Sequence, residues 1–342
     1  MPIIGLNIGK RSFRAVELES KKDKLILTNF GTYINPKITA EPTTDDIRLM
    51  ASSLEEFFSE TGFSTSDVVL SVDETHIFMR IIKLPIMNDK ELKSSIKYEA
   101  EQYIPLPLDQ VNVSYQKLDQ DYSEKGKMNV QIVAARKDVV DKYVEILRKA
   151  KLVPRAIEPE TIALGRALGD TKEAPSGTMI VEMGFSSSLI VVCYGGFVRF
   201  TRAIPIGGDT ITKTIMQGLS LDQDQAEEYK KVYGLDDFQG EGKVAQVVKP
   251  IIDNLISEVQ RAAVFFTNHN PSASIRRVVL SGGTALMPNL LSYFANKLDL
   301  EVILANPLNN IEISLKLEKQ KQQLIDESPI YSSAIGLALR KI

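Results

Sequence analysis

Two short segments carry residue types suited to anion chemistry. Gly5-Leu6-Asn7-Ile8-Gly9-Lys10-Arg11-Ser12 and Ile180-Val181-Glu182-Met183-Gly184-Phe185-Ser186-Ser187 match position by position. Each reads apolar, polar, apolar, glycine, then a turn and a second apolar strand. A glycine at a hairpin tip permits positive φ and lets backbone N–H groups approach an anion. Ser12, Ser186 and Ser187 add hydroxyl donors. Two such turns facing one another clasp a polyphosphate from both sides. The polar residue two before each glycine, Asn7 or Glu182, points toward the same cleft. There it suits Mg²⁺ held through water, or the positioning of an attacking water. Each hairpin alone also reads as an ordinary β-turn; the pair, about half a chain apart, carries the weight.

Two further glycine turns extend the pattern. Val278-Val279-Leu280-Ser281-Gly282-Gly283-Thr284 is an apolar strand entering a turn before a helix. Backbone without side chains lets a flat purine ring approach. Ile206-Gly207-Gly208-Asp209 precedes a second helix, whose start is expected to face an anion. The chain has no Gly-x-x-x-x-Gly-Lys-Ser/Thr loop, no Gly-x-Gly-x-x-Gly and no Gly-x-Ser-x-Gly elbow.

The positioning elements are legible from periodicity. Strands are expected over 3–8, 13–18, 25–34 and 68–72, with a helix over 44–60 capped by Thr44. Residues 75–153 read as a β-α-β-β-α unit: strands 76–84, 111–118 and 128–135, and helices 89–102 and 137–150. The last of these buries Val140, Tyr143, Val144 and Leu147 on one face. The second half starts again with strands 178–183, 188–193 and 196–203. Helices 209–218, 222–232 and 244–268 follow, then strand 278–280 and helix 287–298. Residues 316–327, charged and glutamine-rich, read as a solvated helix or mobile loop.

Composition excludes several classes. The chain has 342 residues, with 41 Lys+Arg against 44 Asp+Glu, so it lacks the basic excess of a nucleic-acid protein. One cysteine, Cys193, and two histidines, His76 and His269, leave no disulfide, cysteine cluster or multi-histidine metal site. Cys193 is expected as a buried core thiol, and the histidines in packing or surface roles. No apolar run approaches the ~20 residues that span a bilayer, and residues 337–342 are too few for a membrane-binding amphipathic helix. A cytoplasmic protein is expected.

At these motifs the sequence resembles the actin-like ATPase superfamily. Within it, the match is to the type IV pilus assembly (PilM) branch, related to the FtsA division proteins. The resemblance runs nearly end to end, through 5–17, KYEAEQYIP at 97–105, FTRAIPIGGD at 200–209, AEEYK at 226–230, LSGGTALMP at 280–288 and AIGLALR at 334–340. It implies an α/β, actin-like (ribonuclease-H-like) fold of two lobes. Residues 1–74 open the first lobe, 75–153 form an inserted subdomain, 154–176 a return helix and link, and 177–342 the second lobe. A C-terminal helix over 330–341 packs back on the first lobe.

The resemblance also implies site roles. Gly9, Lys10, Arg11 and Ser12, with Gly184, Phe185, Ser186 and Ser187, hold the phosphates of ATP. Glu227 and Lys230 flank ribose and base, although without the resemblance they read as a surface ion pair. Gly282, Gly283 and Thr284 floor the adenine, and Gly207 and Gly208 lie beside the phosphates. The superfamily usually has Asp at the positions of Asn7 and Glu182. Asn loses the charge and Glu lengthens the arm, so Mg²⁺ binding is expected to weaken and hydrolysis to be slow or absent. The implied partner is the N-terminal cytoplasmic peptide of a PilN-like inner-membrane protein, gripped in a groove lined by Tyr103, Ile104 and Leu106. Other pilus platform proteins and self-association are also compatible, and the membrane is reached only through protein partners. An FtsA-like filament protein and a small-molecule kinase are the rival readings.

Overall fold

The computed structural model describes every residue except 23, 37–41, 119–125, 172–176 and 271–272. Its first sheet begins with β1 (Pro2–Ile8), β2 (Ser12–Lys21) and β3 (Lys24–Ile34), antiparallel neighbours in sequence order. β4 (Asp67–Val72) then pairs parallel with β1, and β8 (Val153–Pro159) parallel with β4. The second sheet repeats this order. β9 (Thr178–Met183), β10 (Ser188–Tyr194) and β11 (Phe197–Ile204) are antiparallel, and β12 (Arg277–Ser281) and β13 (Glu301–Leu304) extend the β9 side in parallel. The half-chain echo in sequence is therefore a duplicated topology, β3-β2-β1-β4-β8 against β11-β10-β9-β12-β13.

Strand alternation places the cores. In the first lobe, Ile4, Leu6, Phe13 and Ala15 face α1 (Thr44–Thr61), while Val16 and Leu18 face the C-terminal elements. The cap of α1 is Thr43, one residue before the expected Thr44. Its hydroxyl accepts from Asp46 N, and the Asp46 carboxylate accepts from Thr43 N, closing a capping box. In the second lobe, α5 (Gly208–Leu219), α6 (Gln223–Val232) and α7 (Lys243–His269) cover one face of the sheet. Cys193 is free and buried on the other face, beside Leu164 and Val198.

The segment between β4 and β8 holds a three-stranded sheet, β5 (Ile77–Pro85), β7 (Lys127–Arg136) and β6 (Val111–Lys117), backed by α2 (Asp89–Glu101). The next helix, α3 (Lys137–Lys149), leaves this unit. It buries Val139, Ile146 and Leu147, and Ile146 and Leu147 join the first-lobe core. Of the expected face, only Leu147 is fully buried; Val140, Tyr143 and Val144 are half-buried. The small sheet is also bolted to the second lobe. Met79 packs against that lobe's core, and Gln131 Nε2 donates to Val198 O at 2.9 Å.

After β13 and α8 (Leu290–Lys297), the chain returns to the first lobe. β14 (Ile311–Ile313) adds a parallel edge to β3. The charged stretch 316–327 is a 3₁₀ turn, Leu315–Gln320, followed by helix α9 (Lys321–Asp326). It is anchored by buried Leu317 and Leu324 in the first-lobe core. The C-terminal helix α10 (Ser332–Ala338), shorter than the expected 330–341, packs against β1, β2 and α4 (Glu160–Leu168). Arg166, on α4, donates to both Glu158 oxygens at 2.6 and 2.9 Å and to Gly336 O at 2.6 Å. Arg340 pairs with the same carboxylate, so one buried anion ties β8, α4 and the chain end together.

Candidate functional site

The two glycine hairpins close with the same bond. Gly9 N donates to Ser12 O at 3.0 Å, and Gly184 N donates to Ser187 O at 3.0 Å. Neither glycine has positive φ, contrary to expectation. Glycine is favoured by crowding instead: a Cβ on either would sit 3.0 Å from the serine carbonyl oxygen. The turns meet across one cleft of about 920 Å³. Arg11, in the first turn, lies over the Phe185 ring of the second at 5.5 Å. Lys10 leans on Asp73 at 4.0 Å.

Behind the turns stand two buried polar side chains. Asn7 Nδ2 donates to Glu160 Oε1 at 2.6 Å, and Ser333 Oγ donates to the same oxygen at 2.7 Å. Glu182 is buried, and its Oε2 has no hydrogen-bond partner. Burial first, then the nearby charge of Glu160, pushes the Glu182 carboxyl up to about 8, against the pull of Ser281 and Arg14. Burial likewise raises Glu160, opposed by the bonds from Ser333 and Asn7. Arg14 also lines the cleft, with no hydrogen-bond partner for Nε.

The start of α5 differs from the expected anion-facing terminus. Gly208 N donates to Gly184 O at 2.9 Å and Asp209 N to Phe185 O at 2.8 Å. These amides are spent holding the second hairpin in place. Gly207 is needed for the same junction, since a Cβ there would lie 2.5 Å from Phe185 O and 2.6 Å from Ser187 N. Gly208 faces the cleft between Thr284 and Lys230.

Glu227 and Lys230 are no surface pair. Lys230 is only 8% exposed, and its ammonium donates to Glu227 Oε2 at 2.7 Å, Thr212 Oγ1 at 2.9 Å and Gly208 O at 3.2 Å. Burial lowers the Lys230 pKa despite the pairing. For Glu227, burial is outweighed by the bonds from Lys230 and Thr212, and its pKa falls.

Of the expected nucleotide residues, Asn7, the two hairpins, Glu182, Gly208, Glu227, Lys230, Gly283 and Thr284 line this cleft. Gly207 and Gly282 stand one layer behind it; Gly282 has φ 85° and presses on Met183 O. The expected groove residues lie elsewhere. Ile104 is buried in the core of the small sheet, because its side chain fills the space under α2. Tyr103 is half-buried beneath Arg80, whose guanidinium lies 4.9 Å from the ring, and Leu106 is 40% exposed. Sequence reading missed Glu160 and Arg14. The signals were an acidic residue opening a helix after Pro159, and an arginine two residues past the first glycine turn's serine.

A duplicated five-strand sheet, with one hairpin from each half meeting in a shared cleft, defines the actin-like ATPase fold. Solved structures of that class align over nearly the whole chain. They include ethanolamine utilization protein EutJ from Carboxydothermus hydrogenoformans, 14% identical, with a TM-score of 0.58 over 99% of this chain and 89% of that one. MreB5 of Spiroplasma citri bound to AMPPNP aligns at 13% identity and a TM-score of 0.52, over 96% and 98%. Within this class, the model of the type IV pilus assembly protein PilM family matches residues 5–342, and the chain belongs to that family. It is similar to a solved PilM–PilN type IV pilus biogenesis complex, 25% identical with a TM-score of 0.85 over 99% of this chain and 98% of that one. It is also 24% identical over 233 residues to the cell division protein FtsA of Neisseria meningitidis, covering 61% of this chain and 53% of that protein. The chain spans about half the length of the curated relatives it matches. Among the described residues, no helix is long and apolar enough to cross a membrane.

Proposed function

We propose that this chain is a cytoplasmic, nucleotide-binding adaptor of a pilus inner-membrane assembly platform. It takes ATP between its lobes and holds the N-terminal peptide of a PilN-like membrane protein. The observation that carries the nucleotide reading is the pair of identically closed hairpins facing one cleft, with the Arg14 Nε unpaired beside them. Backbone amides and a guanidinium in the cleft wall suit a triphosphate.

The acidic groups fit a hydrated Mg²⁺ better than a directly ligated ion. Among the described residues, no three His, Cys, Asp or Glu side chains converge as a metal set. Mg²⁺ keeps several waters beside phosphate oxygens, and Asn7 Oδ1, Glu160 and the unpartnered Glu182 Oε2 suit such waters. Bound there, the ion supplies charge neutralisation at the phosphates. With Asn7 neutral at the position where the superfamily usually has a carboxylate, slow or absent hydrolysis follows.

The test is calorimetric titration of ATP with Mg²⁺ into the purified chain, with one saturable site expected. No heat and no thermal shift would overturn the reading. Gly207→Ala drives a Cβ into the second hairpin, and ATP affinity is expected to fall about tenfold or more, some 1.4 kcal/mol. Unchanged affinity in a folded variant would remove that hairpin from the site.

The partner reading is supported by the likeness to a PilM–PilN complex. Ile86, Tyr98 and Leu106 expose apolar surface on the unit inserted between β4 and β8. An extended peptide docks on such surfaces through alternate side chains. With Ile104 withdrawn into the core, Tyr103 and Leu106 remain as the proposed groove residues. The proposed divisions are 1–74, 75–153, 154–176 and 177–342, with α3, β14, α9 and α10 packed on the first lobe rather than on the units that contain them.

A further inference from the structure

We propose that Glu160 is a positioning residue for the first phosphate hairpin. It fixes which way the Asn7 carboxamide faces and carries the acidic charge that residue 7 lacks. The inference rests on the nucleotide reading of the cleft and extends it to a residue outside both hairpins.

The geometry allows one orientation of the amide. Asn7 Nδ2 donates to Glu160 Oε1 at 2.6 Å. Oε1 of Glu160 also accepts from Ser333 Oγ, so the amide nitrogen faces it as a second donor and the amide oxygen faces away. That oxygen lies toward the Gly9 turn, 3.5 Å from where a Cβ on Gly9 would stand. The hairpin thereby presents an acceptor to the cleft, suited to a water or a hydrated cation. Without Glu160, the amide could flip and present a donor instead.

Glu160 is itself held from two sides. It is the first residue of α4, where the helix dipole favours an anion. Ser333 Oγ, from α10, donates to the same oxygen at 2.7 Å. Around it stand Arg14 on β2, Asp73 after β4, Tyr143 on α3 and Glu182 on β9, with Glu74 beside Asp73. The link continues beyond α10. Ser332, next to Ser333, pairs with Ser281 at 2.7 Å, and Ser281 stands opposite Glu182 in the β12–β9 ladder. The polar residues of the two hairpins are thus joined through α4, α10 and the end of β12.

A charge swap tests the pair. Asn7→Asp puts two carboxyls in contact, which cannot both ionise without cost. Its unfolding temperature is expected to fall by about 4 °C or more. Glu160→Gln in that background restores an amide–carboxylate contact with the roles reversed, and the unfolding temperature should return to within about 1 °C of the parent. Glu160→Gln alone keeps a bond but frees the flip, so ATP affinity with Mg²⁺ is expected to drop about fivefold while stability changes little. The double variant should recover most of that affinity. A purely structural role predicts no such recovery. Additive losses in the double variant, or Asn7→Asp melting with the parent, would overturn the proposal. If the parent chain binds no ATP, the nucleotide reading fails by itself, and the thermal cycle still decides whether the pair is matched.

Discussion

An alanine at Gly336 is expected to cost about 3 kcal/mol or more and to loosen both hairpins at once. The reason is backbone contact. A Cβ on Gly336 would lie 2.0 Å from Ala163 O and 2.5 Å from Ala163 C, on α4. Carbonyl backbone cannot rotate away as a side chain does. On its opposite side α10 presses on β1, where a Cβ on Gly5 would lie 1.9 Å from Ala334 O. The helix is wedged between β1 and α4 and has nowhere to retreat. It carries Ser332, which bonds Ser281, and Ser333, which bonds Glu160. Moving α10 breaks both links and displaces Gly336 O from Arg166. In a chain of this size the loss corresponds to roughly 4 °C or more in unfolding temperature. Thermal melts of the variant check it. A variant melting within a degree of the parent would show that the helix shifts freely, and the wedge would be no constraint.

That wedge was only partly legible in the sequence. Ala334-Ile335-Gly336-Leu337-Ala338 reads as a small-residue helix; the resemblance, not the local pattern, places it on the first lobe. The glycine hairpins were legible because their chemistry is local: a turn, a glycine and a serine within four positions. The duplicated sheet followed from their repetition. What escaped was set by distance or by choice of partner. Glu160 meets Asn7 across 153 positions, and no local pattern encodes that. The apolar stripe of α3 was visible, yet the same stripe could cover the small sheet or the first-lobe core. β14, at Ile311–Ile313, is too short for alternation to register. In 316–327, two leucines amid charges looked solvated; only the packing against β2 and β3 reveals them as anchors. For Lys230, burial inverts the ordinary expectation for a helix-face ion pair, because the cleft wall closes over it.

Replacing Glu182 by glutamine is expected to flatten the decline in apo-protein stability between about pH 5 and pH 8. Glu182 is 7% exposed, one carboxyl oxygen has no partner, and its pKa stands at about 8. In the unfolded chain a glutamate titrates near about 4.3. Between those values the folded state keeps a proton that the unfolded state has released. The stabilisation is therefore full below the unfolded value and is lost as pH rises toward the folded one. The slope is at most about 1.4 kcal/mol per pH unit for this one group. Glutamine is neutral throughout, so the variant should be the more stable apo protein at pH 8 and close to the parent at pH 5. Glu74, also raised by burial, to about 7, keeps its own slope in both proteins. The difference between the two melting curves isolates Glu182, and parallel curves would show that this carboxyl ionises freely in the fold. The same substitution should remove the Mg²⁺-dependent part of ATP affinity while leaving the amide contacts of both hairpins intact. A buried acid that costs stability at neutral pH, and that glutamine relieves, belongs where a bound cation draws out its charge.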